Sequence, residues 1–299
     1  KLRNLSRKLA VGTGRPYSDA GYSGTVSEFN SPTYSAPQLI PAALLGNFSQ
    51  SREVRAWGTL YQELIFTDVL NHWHAPTQQS SGPHSRSYTE NTIGGTGLVK
   101  YVLHVVLPGG VFFDPETAWW SNHAGDLANA ALVAAVDFHV PEYLLRLAAW
   151  NQAGPAVGGG SGTRAPFPRI VKMRTSTSGY VYGLWTIPPG PVDTYSYQAH
   201  SYTLGSASRP TGNGGQMDSP LIRWRTGSAV RSMSDHKAAF FRYRTGGAYS
   251  FRQGTIHDQG IKNVLQHENA ALALYRPLPF VGPTSSLRLD ICIPLWAPV

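Results

Sequence analysis

The pattern of apolar and polar positions divides the chain into a first part with helical periodicity and a second part with strand periodicity. From Ser51, a favourable N-cap, apolar residues follow one helical face as far as Val69. Pro41 is expected to open a shorter helix, "PAALLGNF", and Pro141 another, "PEYLLRLAAW". "GDLANAALVAAVDF" also indicates a helix, whereas "GLVKYVLHVVL" fits a helix or a buried strand. Paired helices with short polar connections predict a helical hairpin array or an (α/α) toroid.

The second part follows residues 151–164, which are rich in Gly, Pro and Ser and are expected to form a linker. β-Branched and aromatic runs then alternate with turn signals, as in "RIVKMRT", "GYVYGLWTI" and "AAFFRYRT". In "SLRLDICIPLW" the apolar residues occupy every second position, as in a half-buried strand. The predicted fold class is α+β, with an incomplete, toroid-like helical domain over residues 1–150 and an antiparallel β-sandwich over residues 165–299.

Composition and charge restrict the class of partner. The chain has 299 residues, a formal net charge of +8 and an isoelectric point near 9.6, so an anionic partner is favoured. The Arg residues are scattered among aromatic rings and turns rather than grouped in runs, which disfavours nucleic acid and an anionic membrane surface. This pattern is typical of a groove for an acidic oligosaccharide or polysaccharide. The alternative is a basic surface without a specific ligand.

Two features that the sequence lacks exclude certain kinds of structural site and of membrane segment. A single cysteine, Cys292, excludes an internal disulfide and a cysteine-based metal cluster. No apolar run approaches the ~18 residues that a membrane span needs. The location that we expect is secreted, extracellular or periplasmic.

Polar and aromatic side chains cluster in short stretches at the ends of predicted elements, where active sites are often assembled. The stretches are "SEFNSPTY" (27–34), "NHWHAP" (71–76), "GPHSRSY" (82–88), "WWSNHAGD" (119–126) and "YSYQAHSYTLGS" (195–206). His72 and His74 are two residues apart and share no helix face, so a helix C-terminus is favoured over a zinc pair. The Ser-Pro bend of "SEFNSPTY" either caps an element or faces a ligand.

The stretch "GPHSRSY" carries the clearest chemical pattern. In an extended segment His84, Arg86 and Tyr88 project to the same side. A guanidinium can pair with a carboxylate while an imidazole or a phenol moves a proton, which suits a substrate that bears carboxylates. The alternative is a loop in which Arg86 and Tyr88 simply pack on a helix end.

The stretch "YSYQAHSYTLGS" contributes Tyr195, Tyr197 and His200, which either line one wall of a cleft or form a plain tyrosine-rich strand surface. No nucleophile elbow, phosphate-binding loop or dinucleotide fingerprint is present. A glycoside hydrolase needs two facing carboxylates, and the sequence shows no obvious pair among its clusters.

Taken with the order of helical and strand parts, several motifs resemble the polysaccharide lyases that join a toroid to a β-sandwich, the heparinase II/III-like and alginate-lyase-like group. The motifs are "SEFNSPTY", "GPHSRSY", "SYTLGSASRP" and "QHENAALALYRP", and the resemblance covers roughly residues 20–296. It implies β-elimination on a uronate-containing glycan, without a metal or organic cofactor. The chain is shorter than typical members and has too few helices for a full toroid.

The resemblance also implies roles for individual residues. Asn30 would neutralise the uronate carboxylate, Tyr88 would donate the proton and His200 would assist from the sandwich side. His84 and Arg86 would flank the carboxylate, with His84 among the catalytic residues. Further substrate contacts are expected from Tyr34, Trp120, His123, Tyr202 and Gln216.

Two other function classes stay open. The same scaffold could serve a dehydratase, cyclase or isomerase of a small hydrophobic molecule, which would need a closed apolar pocket rather than a basic groove. A non-catalytic glycan-binding protein would use the same rings and Arg residues without turnover.

Overall fold

The computed structural model describes the following residues: 28–87, 97–107, 109, 111–112, 124–150, 168–177, 180–182, 185–187, 190–210, 219–227, 230, 232, 235–245, 260–277 and 287–292. The described part is a mixture of helices and antiparallel sheet, which confirms the α+β class. No described helix is long and apolar enough to cross a membrane.

The helices form the first layer of the molecule. They are α1 (Ser35–Phe48), α2 (Arg52–His72), α3 (Leu98–Val106), α4 (Ala124–Ala134) and α5 (Glu142–Trp150). The predicted N-cap is confirmed, because the Ser51 side chain accepts a hydrogen bond from the Val54 backbone N–H at the start of α2. "GLVKYVLHVVL" contains a helix, α3, rather than a strand.

The position of Pro41 differs from the prediction. Helix α1 begins at Ser35, six residues earlier, and Pro41 lies inside it. The start is set by the bend before it, where Ser31 O accepts the Ser35 N–H and Ser31 Oγ accepts the Tyr34 N–H. A proline inside a helix removes one backbone hydrogen bond. The buried apolar residues on both sides of Pro41 offset that loss by packing.

One apolar core joins the helices. It draws aliphatic and aromatic side chains from α1 to α5 and includes Leu39, Phe66, Leu103 and Leu144, each at most 1% exposed. Helices α1 and α2 approach closely at Gly58, where a Cβ atom would lie 2.7 Å from Ala42 O. This core supplies the apolar burial that stabilises the helical layer.

The second layer is an antiparallel sheet of six strands in the order β12-β9-β8-β7-β6-β3. Its strands are β3 (Arg169–Thr177), β6 (Gly190–Gln198), β7 (Tyr202–Ala207), β8 (Leu221–Arg225), β9 (His236–Thr245) and β12 (Leu287–Cys292). Three two-stranded pairs accompany it: β1 (Trp73–His74) with β2 (Gln79–Ser80), β4 (Tyr180–Tyr182) with β5 (Trp185–Ile187), and β10 (Gly260–His267) with β11 (Ala270–Pro277). The change from helix to antiparallel strand was predicted from the change in hydrophobic period.

The two faces of this sheet differ in chemistry. The inner face, which meets the helical layer, carries buried polar residues beside buried apolar ones: Thr194, Ser196, Gln198, Thr203, Arg223 and His236, with Val192, Ala207, Leu221, Ala238 and Phe240. The outer face carries Tyr195, Tyr197, Tyr202 and Trp224. Gln198 fixes the assignment, because its Nε2 donates to Asn71 O of α2 at 3.0 Å. The face of the sheet that buries both polar and apolar residues is therefore turned towards the helices.

Candidate functional site

Two of the motifs singled out in the sequence lie side by side between the helices and the sheet. Asn30 Nδ2 donates to Ser81 O at 2.7 Å and to Pro83 O at 2.9 Å. In return, His84 Nδ1 donates to Asn30 O at 2.6 Å. Asn30 has a φ of 43°, a left-handed conformation that asparagine tolerates better than most residues. The bend of "SEFNSPTY" thus holds "GPHSRSY" in place.

Arg86 lies at the edge of this contact and is partly exposed. Its NH1 donates to Glu28 Oε1 at 3.1 Å, and both side chains are about a quarter exposed, at 26% and 25%. The guanidinium also stacks over the Tyr34 ring, 4.3 Å from the ring centroid. Ser31 Oγ donates to Arg86 O at 2.8 Å and so fixes the backbone of this residue. Two predicted substrate-binding residues, Arg86 and Tyr34, are therefore in direct contact.

A buried carboxylate of α2 supports the bend from the helical side. Asp68 Oδ2 accepts the Asn30 N–H at 2.5 Å, and Asp68 Oδ1 lies 3.1 Å from His72 Nδ1. His72 Nδ1 also donates to Asp68 O at 2.8 Å, as expected for a histidine in the last turn of a helix. The "NHWHAP" stretch therefore contributes His72 as part of the helix end.

The sheet approaches the same segment through β8. Arg223 NH2 donates to His84 Nε2 at 3.0 Å, and Arg223 NH1 donates to Gln79 Oε1 at 2.9 Å. Because Asn30 O can only accept, His84 carries its proton on Nδ1 and its Nε2 accepts from the guanidinium. His84 is fully buried and neutral in this arrangement, with both ring nitrogens in hydrogen bonds.

His236 of β9 is buried and lies within the electrostatic influence of Lys100 and Arg223. Burial, and then the charges of Lys100 and Arg223, hold the pKa of His236 well below its usual 6.5. Its ring meets the Phe112 ring edge-on with centroids 6.0 Å apart, and the Lys100 ammonium lies 5.7 Å from the same Phe112 centroid. Within the described residues, neither ring nitrogen of His236 has a hydrogen-bond partner.

These residues form one buried group of positive or protonatable side chains, which we call the basic cluster. Its members are His84, Lys100, Arg223 and His236, each at most 5% exposed. They come from the 81–87 segment, α3, β8 and β9, so only the folded chain brings them together. The cluster therefore concentrates positive charge and imidazoles where the helices meet the sheet.

His74 ties the sheet to the end of α2. Its Nε2 donates to Ala199 O at 2.7 Å, so its Nδ1 accepts from the Thr77 hydroxyl at 2.8 Å. Burial is the main cause that lowers the pKa of His74 to about 3, and nearby Arg225 and His200 lower it further. His200 follows Ala199 in the turn between β6 and β7 and is exposed. His74 therefore positions the backbone that carries His200.

The tyrosines of "YSYQAHSYTLGS" lie on the outer face of the sheet. The rings of Tyr197 and Tyr202 are 6.0 Å apart, and the Lys172 ammonium lies 5.0 Å from the Tyr195 ring centroid. Burial and then the neighbouring Tyr202 raise the pKa of Tyr197 above 10. This aromatic surface is on the other side of the sheet from Arg223, so it is separate from the basic cluster.

The loop that carries His84 is pressed against β7 and β8. A Cβ atom at Gly205 would lie 1.9 Å from Gly82 O, and one at Gly82 would lie 2.9 Å from Leu221 Cβ. Only glycine permits so close an approach of two backbones. The geometry of the junction is therefore fixed by backbone contact as well as by hydrogen bonds.

The predicted site residues fall into three groups. Asn30, His84, Arg86 and Tyr34 come together at the junction, whereas His200 and Tyr202 lie on or beside the β6–β7 turn. The remaining predictions lie outside the described residues: Tyr88, Trp120, His123 and Gln216.

The sequence reasoning missed four residues at the junction: Asp68, Lys100, Arg223 and His236. The spacing of four residues between Asp68 and His72 gave a weak signal that their side chains are neighbours on one helix face. The alternation in "LIRWR" predicts that Arg223 and Trp224 lie on opposite faces of a strand. It does not predict which of these two faces is buried. Among the described residues, no group of three or more His, Cys, Asp or Glu side chains could hold a metal ion.

The comparisons with known proteins concern the helical part. Residues 17–137 match the family model described as Domain of unknown function (DUF8769). The match includes both contacting motifs, the bend at residues 28–34 and the segment 81–87, and ends before the sheet. No curated protein and no solved structure matches the chain. The family description names no activity. The junction is therefore the feature of this chain that bears on function.

Proposed function

We propose that the protein is a polysaccharide lyase that cleaves an anionic, uronate-containing glycan by β-elimination. The observation that carries the proposal is the meeting of the Asn30 bend with the His84–Arg86 segment against Arg223 of the sheet. This meeting gathers cations and imidazoles directly before Tyr88, the residue expected to move the proton. The scaffold that we propose is an incomplete (α/α) toroid followed by a β-sandwich.

The reaction needs few groups. A base removes the proton at C5, next to the carboxylate, the electron pair forms a C4=C5 double bond, and the C4–O bond to the leaving sugar breaks. The leaving oxygen then takes a proton from a general acid. Cations near the carboxylate stabilise the negative charge that develops on it, and this lowers the barrier. A phenol serves as the base only if nearby positive charge lowers its pKa from ~10.

The proposal assigns these steps to the predicted residues. Tyr88 moves the proton, Arg86 supplies positive charge beside it, and His200 assists from the β6–β7 turn. Both amide hydrogens of Asn30 already bond to Ser81 O and Pro83 O. The contribution of Asn30 in this arrangement is to position the segment that leads to Tyr88. His84, whose two ring nitrogens are also engaged, acts in the same way.

The test is to incubate the protein with a panel of uronate polysaccharides and to follow the ultraviolet absorbance of the unsaturated product. We expect product from at least one acidic glycan and none from neutral glucans. Tyr88→Phe keeps the ring but removes the exchangeable proton, so it should abolish turnover. Absence of unsaturated product from every acidic glycan, or a Tyr88→Phe protein with wild-type turnover, would overturn the proposal.

A second candidate is a glycan-binding protein without turnover. The outer face favours it, because Tyr197, Tyr202 and the Lys172–Tyr195 pair form an aromatic surface with a positive charge. Sugar rings stack on such surfaces. Binding of an acidic glycan that is lost in Tyr202→Ala, with no unsaturated product, would favour this candidate over the lyase.

A further inference from the structure

A row of aromatic side chains crosses the strands on the outer face of the sheet. The rings of Tyr197 on β6 and Tyr202 on β7 have centroids 6.0 Å apart and are tilted by 34°. Trp224 on β8 lies directly opposite Tyr202 in the strand register. Residues that face each other in this way point to the same side of the sheet, with Cβ atoms about 5 Å apart. The three partly exposed side chains therefore form one continuous row.

Opposite charges lie at the two ends of this row. Lys237 on β9 lies directly opposite Trp224, is partly exposed and takes part in none of the ion pairs formed by the described residues. At the other end the exposed Glu268, in the turn between β10 and β11, donates its backbone N–H to the Tyr195 hydroxyl at 3.1 Å. A ligand that lies along the row therefore meets positive charge at the β9 end and negative charge at the β6 end.

The hairpin of β10 and β11 covers the neighbouring part of the same face. Gln266 Nε2 donates to Leu204 O at 2.9 Å, and the Val264 N–H donates to Ser208 O at 3.1 Å. The aromatic side chains of the row are left partly exposed beside this hairpin. Adjacent large rings on a protein surface are typical of a binding surface.

The spacing of the row suits a chain of sugars. Neighbouring strands lie about 4.8 Å apart, which is comparable with the length of one pyranose unit in an extended glycan. Successive strands can therefore present aromatic rings to successive sugar units, whose C–H groups stack on the negative face of the ring. The ammonium of Lys237 adds a charged donor for a carboxylate at one end.

We propose that Tyr197, Tyr202, Trp224 and Lys237, which we call the aromatic row, form a second glycan-binding surface. A linear oligosaccharide stacks its sugar rings on the three aromatic side chains, and a uronate carboxylate of this chain pairs with Lys237. The aromatic row lies on the other side of the sheet from Arg223, so binding there does not use the junction. If the protein is the proposed lyase, the row holds the substrate that the junction cleaves, and this part of the inference rests on the proposed function.

The experiment measures binding by calorimetry with the full chain. The acidic probe is a tetrasaccharide of alternating glucuronate and N-acetylglucosamine, and the neutral probe is a tetramer of N-acetylglucosamine. The variants are Trp224→Ala, which removes the central ring, and Lys237→Met, which removes the charge but keeps the length of the side chain. The matched control is Trp57→Ala, which changes a tryptophan of α2 that is 49% exposed.

We expect the wild type and Trp57→Ala to bind the acidic tetrasaccharide equally and more tightly than the neutral one. Loss of the ring should weaken binding of the acidic tetrasaccharide by at least about tenfold in Trp224→Ala. Lys237→Met should weaken it by about threefold to fivefold and should make the affinity less sensitive to salt. Wild-type affinity in Trp224→Ala, or an equal loss in Trp57→Ala, overturns the proposal. An unchanged salt dependence in Lys237→Met overturns the pairing with the carboxylate.

A second measurement uses the wild type, in case Trp224→Ala fails to fold. The indole N–H signal of Trp224 in the NMR spectrum, assigned by its loss in Trp224→Phe, should shift as the acidic tetrasaccharide is added, whereas the signal of Trp57 should not. An unmoved Trp224 signal at saturation overturns the surface.

The formation of unsaturated product, followed in the same samples, separates this inference from the proposed function. Binding that is lost in Trp224→Ala, without any unsaturated product, supports the aromatic row and removes the lyase proposal. Product formation together with wild-type affinity in Trp224→Ala supports the lyase and removes the aromatic row as a binding surface.

Discussion

The core of the helical layer and the junction between that layer and the sheet are both buried, but they differ in how many polar side chains they contain. The helical core consists of apolar residues such as Leu39, Phe66 and Leu144. The junction instead buries amides, hydroxyls, imidazoles and cations along the inner face of the sheet, among them Gln198 and Arg223. The first region follows the ordinary rule of burial, whereas the second adds buried polar groups to apolar residues such as Leu221 and Phe240.

The difference indicates that the two regions contribute differently to stability and to function. Burial of polar groups opposes folding unless hydrogen bonds replace the lost water. At the junction these bonds form a chain: Asn30 donates to Ser81 O, and Gln198 donates to Ser81 Oγ. The apolar core supplies stability, which lets the junction hold specific groups in place. Changes in the core should therefore reduce stability alone, whereas changes of the charged side chains at the junction should reduce ligand binding or activity.

The largest expected effect on stability is in the helical core. Leu144→Ala removes a fully buried side chain of α5 and leaves a cavity, so the free energy of unfolding should fall by about 3 to 4 kcal/mol. Urea denaturation measures this change. The rate at which the folded variant turns over an acidic glycan should stay at the wild-type value. A large loss of turnover in the folded variant would contradict the division between core and junction.

The next effect concerns the backbone contact at the junction. Gly205→Ala places a methyl group against the Gly82 carbonyl, which must move, and should cost about 2 to 3 kcal/mol of stability. Gly227→Asn is the control, since Gly227 has a φ of 79° and open space around it. Asparagine tolerates this conformation, so the control should lose less than about 1 kcal/mol. Equal losses of stability in the two variants would show that the close approach of Gly205 to Gly82 does not contribute to stability.

A third prediction is that acid weakens the junction. The unfolded chain protonates His74 near pH 6.5, but the folded chain resists protonation until about pH 3. The unfolded state therefore binds more protons in this window, and stability falls as the pH falls, by up to about 1.4 kcal/mol per pH unit. The lowered pKa of His236 acts in the same direction.

Urea denaturation of the wild type and of His74→Gln between pH 7 and pH 4 checks this prediction. Glutamine keeps a donor for Ala199 O but does not titrate, so His74→Gln should show a shallower dependence on pH. Identical slopes in the wild type and His74→Gln would rule out His74 as the cause.

The smallest expected effect is at the partly exposed edge. Glu28→Gln breaks the ion pair with Arg86, but water screens this pair, so stability should change by less than about 1 kcal/mol. Thermal denaturation at low and high salt measures this change in stability. A loss of several kcal/mol would mean that the edge belongs to the rigid part of the junction.

Sequence patterns predicted the periodic parts of the molecule well. The N-cap Ser51, the helix after Pro141 and the strand in "SLRLDICIPLW" depend on local geometry, which short-range patterns report. Pro41 was misplaced because burial on both sides keeps α1 continuous through a proline. Tertiary packing outweighed the local preference there.

The junction was predictable only in part. Asn30, His84 and Arg86 were recognised from residue types in short motifs, but the hydrogen bonds between the motifs span more than fifty residues. Arg223 and His236 gave no signal because alternation in a strand does not reveal which face meets the helices. Buried polar residues on that face also depart from the usual expectation of an apolar one, as happens at functional sites.

The most direct test of the central claim measures the rate of unsaturated product formation from an acidic glycan in three proteins. These are the wild type, Arg86→Met and Leu144→Ala, assayed at a temperature where all three are folded. We predict that kcat/KM falls by at least about tenfold in Arg86→Met and stays near the wild-type value in Leu144→Ala. Wild-type kcat/KM in Arg86→Met, or an equal loss in both variants, would contradict the assignment of chemistry to the junction and of stability to the core.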